Sequence, residues 1–198
     1  MIPEAIQKFI AIFSRLPSLG PRLATRLAFY LTDIPKNDLK ELESALGGLK
    51  NLNRCKQCFF LSNNGDLCSI CSNPNRDKLI IAIVEKETDL ISIEKAGSFA
   101  GHYLVLGRLD DKGSLETSQK LRLDHLKKII SRDLDGKVNE IIIALNPNAV
   151  GDYVAQVISE DFKNFATKIT RLGRGIPTGG EIEFADEETL NSALERRD

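Results

Sequence analysis

The sequence has 198 residues, with no tryptophan, only two histidines and only four cysteines. No apolar run approaches the roughly 20 residues that span a bilayer, which excludes a membrane-crossing helix. No basic stretch followed by a continuous apolar stretch follows Met1-Ile2-Pro3-Glu4, so a secretory signal is not expected and the reading is cytoplasmic. Self-similarity at a period of about 20–50 residues is absent, which excludes solenoids and propellers, and there is no low-complexity run. The glycine-rich stretch Gly173-Arg-Gly-Ile-Pro-Thr-Gly-Gly180 lacks a terminal Gly-Lys-Ser/Thr, which excludes a P-loop and leaves a plain loop. Neither His102 nor His125 has a Ser or Cys motif beside it, so both read as packing or surface residues rather than bases.

What is present is the composition of a soluble globular chain, 42% apolar and 28% charged. Its size favours one main core with smaller attachments. The formal net charge of −1 conceals a split. Residues 1–78 hold 11 Lys or Arg against 7 Asp or Glu, whereas residues 79–198 hold 16 against 21. The basic part is either a surface for a polyanion or a solvated face.

The cysteines fall as Cys55-Lys-Gln-Cys58, nine residues, then Cys68-Ser-Ile-Cys71. Each CxxC lets two thiolates converge from one tight turn, and zinc takes four such ligands in a tetrahedron. Asn63-Asn64-Gly65-Asp66 supplies the turn that returns the second pair to the first. Disulfides and a redox CxxC are the alternatives, disfavoured by the absence of a secretory signal and by the doubled motif. Four thiolates leave no open position for water or substrate, so Cys55, Cys58, Cys68 and Cys71 are expected to hold one structural Zn²⁺.

Ile2, Ile6, Phe9, Ile10 and Phe13 recur at helical spacing. The turn Leu16-Pro-Ser-Leu-Gly20-Pro21 follows, and then a second helix with Leu23, Leu27 and Leu31 on one face and Arg22 and Arg26 on another. This is the pattern of a helix-hairpin-helix, whose helix N-terminus can hold a backbone phosphate. An ordinary helical hairpin is the alternative. Arg15, Gly20, Arg22 and Arg26 are the candidate DNA contacts, positioning nucleic acid without reading its sequence. A third helical pattern runs from Pro35 to Gly47-Gly48.

From Leu79 onward strands alternate with helices. Strands are expected at 79–84, 103–107, 140–145 and 168–172, and helices at 88–95, 121–134 and 150–162. Continuous apolar strands of this kind form a mostly parallel sheet with helices on both faces, and functional residues sit at the strands' carboxyl ends. Glu85 with Asp89 follows the first strand, and Asn146 and Asp152 follow the central one. Carboxylates so placed can hold Mg²⁺, but the neutral Asn146 and Asn148 favour simple helix capping.

The order of these motifs, with Ile83-Val-Glu85, Leu145-Asn-Pro147 and Thr170-Arg-Leu-Gly-Arg-Gly-Ile-Pro-Thr-Gly-Gly-Glu181, resembles the RecR family of bacterial recombination mediators nearly end to end. The resemblance implies an α/β protein of four parts: a helix-hairpin-helix over 1–54, a four-cysteine zinc finger over 55–78, a Toprim domain over 79–172 and a C-terminal helical segment over 173–198. It implies no enzymatic activity. The implied role is recombinational DNA repair: a homo-oligomeric ring, dimer or tetramer, on double-stranded or gapped DNA, acting with RecO and in many bacteria RecF to load RecA on SSB-coated DNA. The chain departs from the family where Val150 replaces the Toprim glutamate and where Leu104 and Arg108 replace a histidine and a glycine. These changes bear on partner or Mg²⁺ binding at the Toprim face. The competing classes are an Mg²⁺-dependent Toprim enzyme using Glu85 and Asp89, and a scaffold that binds protein alone.

Overall fold

The structure, a computed structural model, describes residues 2–63, 65–111, 113–195 and 197. The chain divides into two compact units, Met1–Leu52 and Asn53–Asp198. The first contains α1 (Glu4–Phe13), α2 (Pro21–Asp33) and α3 (Lys36–Gly48). Pro21 occupies the first turn of α2, where its missing N–H would have had no intrahelical partner. Helices α1 and α2 pack together, with Ile6, Phe9, Ile10 and Phe13 half-buried on α1. Among the described residues the only fully buried side chains of this unit are Ala24 and Ala28.

Leu23 shares a helix stripe with Leu27 and Leu31 but is 48% exposed, whereas Ala24 and Ala28, four residues apart, are the buried residues of α2. Helix α3 ends at the glycine pair, as the sequence predicts, and a 3-10 turn, Leu49–Asn51, follows it directly.

The second unit opens with a two-stranded antiparallel hairpin, β1 (Asn53–Arg54) and β2 (Leu61–Ser62). The main sheet follows: β3 (Asp77–Val84), β4 (Gly101–Val105), β5 (Val138–Ala144) and β6 (Ala166–Arg171), all parallel in the order β4-β3-β5-β6. Helices α4 (Glu87–Ala96), α5 (Thr117–Asp133) and α6 (Ala149–Phe162) connect successive strands, and α7 (Glu187–Glu195) closes the chain. This is the expected α/β architecture.

Alternation along the strands sorts two cores. Ile81, Ile83, Leu104, Leu106, Ile141 and Ile143 form one cluster with Leu126 and Ile130 of α5 and Ile158 and Phe162 of α6. On the other face Ala82, Val84, Tyr103, Val105 and Ala144 cluster with Leu90 of α4 and with all four cysteines. Near-continuous apolar strands are what a sheet covered on both faces requires. No described helix is long and apolar enough to cross a membrane.

Candidate functional site

The four cysteines are brought together. Their sulfurs all lie within 4.8 Å of one another, and all four residues are buried. Cys58 Sγ and Cys68 Sγ are 3.5 Å apart, close to the roughly 3.8 Å between corners of a tetrahedron with Zn–S bonds of about 2.3 Å. The backbone makes this possible: Cys55 N–H donates to Phe60 O at 2.7 Å, and Phe59 N–H donates back to Cys55 O at 3.0 Å. Phe59 takes a left-handed conformation, φ 64°, to close that turn, and Phe60 N–H points at Cys58 Sγ at 3.4 Å. Asn64, part of the expected return turn, lies outside the described residues.

Packing thiols this tightly redistributes their protons. Sulfur-to-sulfur hydrogen bonding pushes the Cys71 and Cys58 thiols up and draws Cys68 down, while burial raises all three. With Cys58 and Cys71 pushed up, they keep their protons when no cation is present; four buried sulfurs this close together are the donor set of a metal ion that takes sulfur ligands, which would displace those protons.

The knuckle is fastened to the sheet. Cys58 O accepts from Val105 N–H of β4 at 2.8 Å, and Arg122 of α5 donates to Val105 O at 2.8 Å while lying 5.0 Å from the centroid of the Phe59 ring. Phe59 is packed against both cores, and His125 of α5 meets it edge-on while its Nε2 pairs with Lys56 O at 2.7 Å. Arg76 donates to Glu94 of α4 and to Gly101 O, and Tyr103 Oη donates to Glu94 Oε1 at 2.6 Å.

At the carboxyl ends of the strands lies a groove of about 560 Å³ lined by Glu85, Lys86, Arg108, Asp110, Asp111, Asn146 and Asn148 among others. Of the expected acidic face, Glu85 and Asn146 meet there. Glu85 is buried; its Oε2 accepts from Asn146 Nδ2 at 2.8 Å and its Oε1 from Leu109 N–H at 3.3 Å. Asp89 instead accepts from Lys86 N–H at 2.9 Å, capping α4. Asn148 caps α6 by accepting from Gly151 N–H at 2.8 Å. Asp152 is paired elsewhere: Arg174 donates to its carboxylate at 2.6 and 2.8 Å and Arg171 donates to it as well. Those two guanidinium groups, Arg171 first, hold Asp152 below the usual carboxylate range.

Sequence reasoning missed Asp110 and Asp111. They follow a strand's carboxyl end as Glu85 does, and that placement was the available signal. Asp110 is engaged by Ser114, whose N–H and hydroxyl both donate to it.

In the first unit, Gly20 is the N-cap residue of α2 in extended backbone, with open space where a Cβ would stand. The first turn of α2 contains no acidic residue, so its leading N–H groups face no side-chain carboxylate of their own turn. Arg15, Arg22 and Arg26 are exposed, and none makes an ion pair with a described residue.

A parallel sheet flanked by helices, with a buried Glu at the end of its first strand and a four-cysteine knuckle packed on one face, defines a Toprim protein with an attached metal-binding finger. Residues 80–173 match the Toprim domain family, and residues 175–197 match the family described as RecR, C-terminal. The chain is 39% identical over 199 residues to the Recombination protein RecR of Roseiflexus castenholzii, covering 100% of this chain and 95% of that relative. It belongs to the RecR family, whose role is in recombination and its associated repair.

Proposed function

We propose that this chain is a non-catalytic, DNA-binding mediator of recombinational repair, assembled as a ring that admits double-stranded or gapped DNA. It acts with RecO, and with RecF where present, to load RecA on SSB-coated DNA. The observation that carries DNA contact is that Arg15, before the turn, and Arg22 and Arg26, on α2, are exposed and make no ion pair with a described residue, while Gly20 leaves open space at the N-terminus of α2 for a phosphate. The division of labour follows: residues 1–54 contact DNA, 55–78 form the finger, 79–172 present a partner face and 173–198 extend from it.

Assembly is supported by the first unit's surface. Ile12, Phe29, Tyr30, Leu46 and Leu49 are exposed large apolar or aromatic side chains on a unit that fully buries only two described alanines. Apolar side chains left uncovered by so small a core are what an oligomer contact would bury. Zn²⁺ is the metal the four cysteines would hold; it would be structural, because four thiolates close its coordination. A non-catalytic Toprim face is supported by Glu85, whose two oxygens already accept from Asn146 and Leu109.

The test is binding of duplex and gapped DNA over a salt series, alone and with RecO. Phosphate-dominated binding weakens steeply with salt. Replacing Arg22 and Arg26 with Glu should cut affinity at least about tenfold at every sequence tried and flatten the salt slope by about two. Salt-insensitive binding, or none in either setting, overturns the proposal.

A further inference from the structure

A pocket of about 540 Å³ opens where β1, the start of α4, the loop after β4 and the first turn of α5 meet, lined among others by Arg54, Glu87, Gly107, Arg108 and Arg122. All five residues belong to the second unit. Arg54 Nη1 donates to Phe59 O at 2.8 Å and to Glu87 Oε1 at 2.7 Å. Arg122 Nη1 donates to Val105 O at 2.8 Å, and its guanidinium stands 5.0 Å from the centroid of the Phe59 ring. Both arginines are anchored on Phe59, one at its carbonyl and one over its ring. Gly107, at φ 101°, keeps the loop clear of them, since a Cβ there would lie 3.4 Å from Arg122 Nη1.

This anchoring leaves donors over. A guanidinium carries five N–H groups. In each arginine only Nη1 is engaged, while Nε and Nη2 donate to no described residue. Glu87 is the carboxylate the pair shares. Burial works against its charge, yet Arg54 and then Arg122 hold it below the usual carboxylate range. Burial first, and the charge of Arg54 next, lower Arg122 from its ordinary value. Two cations against one carboxylate leave a positive charge uncompensated, and Arg108, exposed and without an ion pair to a described residue, adds to it.

Glu116 also lines the pocket, as does Asp110, which Ser114 engages. Walls of such mixed charge repel a run of phosphates but accept a single carboxylate that reaches the arginine pair. The planar guanidinium edge matches the two oxygens of a carboxylate. We propose that this seam is a docking site for an acidic segment of a partner protein, one Asp or Glu carboxylate of which Arg54 and Arg122 take together, in competition with Glu87.

The test is fluorescence anisotropy of a labelled, capped tetraglutamate peptide on the full-length protein at low salt, with a labelled single-stranded oligonucleotide read on the same variants and melting temperature measured in parallel. Arg54→Gln should weaken peptide binding at least about tenfold, and Arg122→Lys should weaken it too, because a point charge does not reproduce the planar fork. Glu87→Gln should instead tighten it at least about threefold, a gain that damage to the fold would not produce. Oligonucleotide affinity should stay unmoved. If Arg122→Lys melts early, Arg54→Gln and Glu87→Gln carry the measurement. A parent protein that ignores the peptide, variants that all bind it alike, or weaker binding by Glu87→Gln overturns the site. So does an Arg54→Gln loss on the oligonucleotide that matches the loss on the peptide, which would make the seam a phosphate contact.

Discussion

Asn146 donates from Nδ2 to Glu85 Oε2 at 2.8 Å, so a carboxamide stands where a second carboxylate would be needed to hold Mg²⁺ against Glu85. Mg²⁺ asks for carboxylate oxygens, and a donor N–H in that place supplies the opposite. Asn146→Asp should therefore set two like charges side by side and lower stability by about 1–3 kcal/mol at neutral pH. Millimolar Mg²⁺ should restore part of the loss in the variant and leave the parent's melting temperature unmoved. A parent protein that binds Mg²⁺ calorimetrically at this concentration contradicts the account.

Metal removal should cost fold before it costs any interaction. Structural zinc sites contribute on the order of 10–16 kcal/mol of apparent binding free energy. Here the cysteines share one buried cluster with Val84, Leu90 and Tyr103, so the loss should spread into the sheet. Chelation, or Cys58→Ser, should lower the melting temperature of the second unit and broaden its transition. A chelated protein with an unchanged cooperative melt would show that the knuckle is an ornament.

The carboxyl-end loop tolerates no side chain at Gly151. A Cβ there would stand 2.0 Å from Asn146 O, a backbone atom that cannot swing aside. Gly151→Ala should destabilise by roughly 2–4 kcal/mol, measured by urea unfolding, because the loop holding Asn146 and Asn148 must move.

The C-terminal segment is held partly by charge. Arg174 bridges Asp152 of α6 and Glu188 of α7. Asp152 titrates below its ordinary 3.8 because of Arg171 and Arg174. A depressed folded value means that its contribution is complete above the unfolded value and fades as pH falls through the folded one. Acidification below about 4 should therefore loosen α7, detectable as faster proteolysis after Leu172. Asp152→Asn should show the faster cleavage at neutral pH and little further change on acidification.

Much of this was legible because the signals were periodic or paired. The doubled CxxC spacing marked the cluster, and four apolar runs marked the sheet, since both patterns are local. The hairpin of β1 and β2 escaped because two residues per strand carry no period. The stripe of Leu23, Leu27 and Leu31 does not tell from sequence which of them is covered: Leu23 is left exposed while Ala24 and Ala28 are buried. Asp152 was read as a strand-end acid, and nothing local reveals that Arg171 and Arg174 return to it from about twenty residues later. Asp110 and Asp111 lie five and six residues past the end of β4 at Val105, whereas Glu85 directly follows β3, and that length of loop hides from the sequence that they return to the same groove.

The bond from Val105 N–H to Cys58 O has one more consequence. β4 is an edge strand, and its outward N–H and C=O at Val105 are occupied by the knuckle and by Arg122. Unoccupied strand edges recruit other chains and aggregate. The finger is thus also a guard on the sheet's flank, and zinc-starved protein should betray itself first as a loss of solubility.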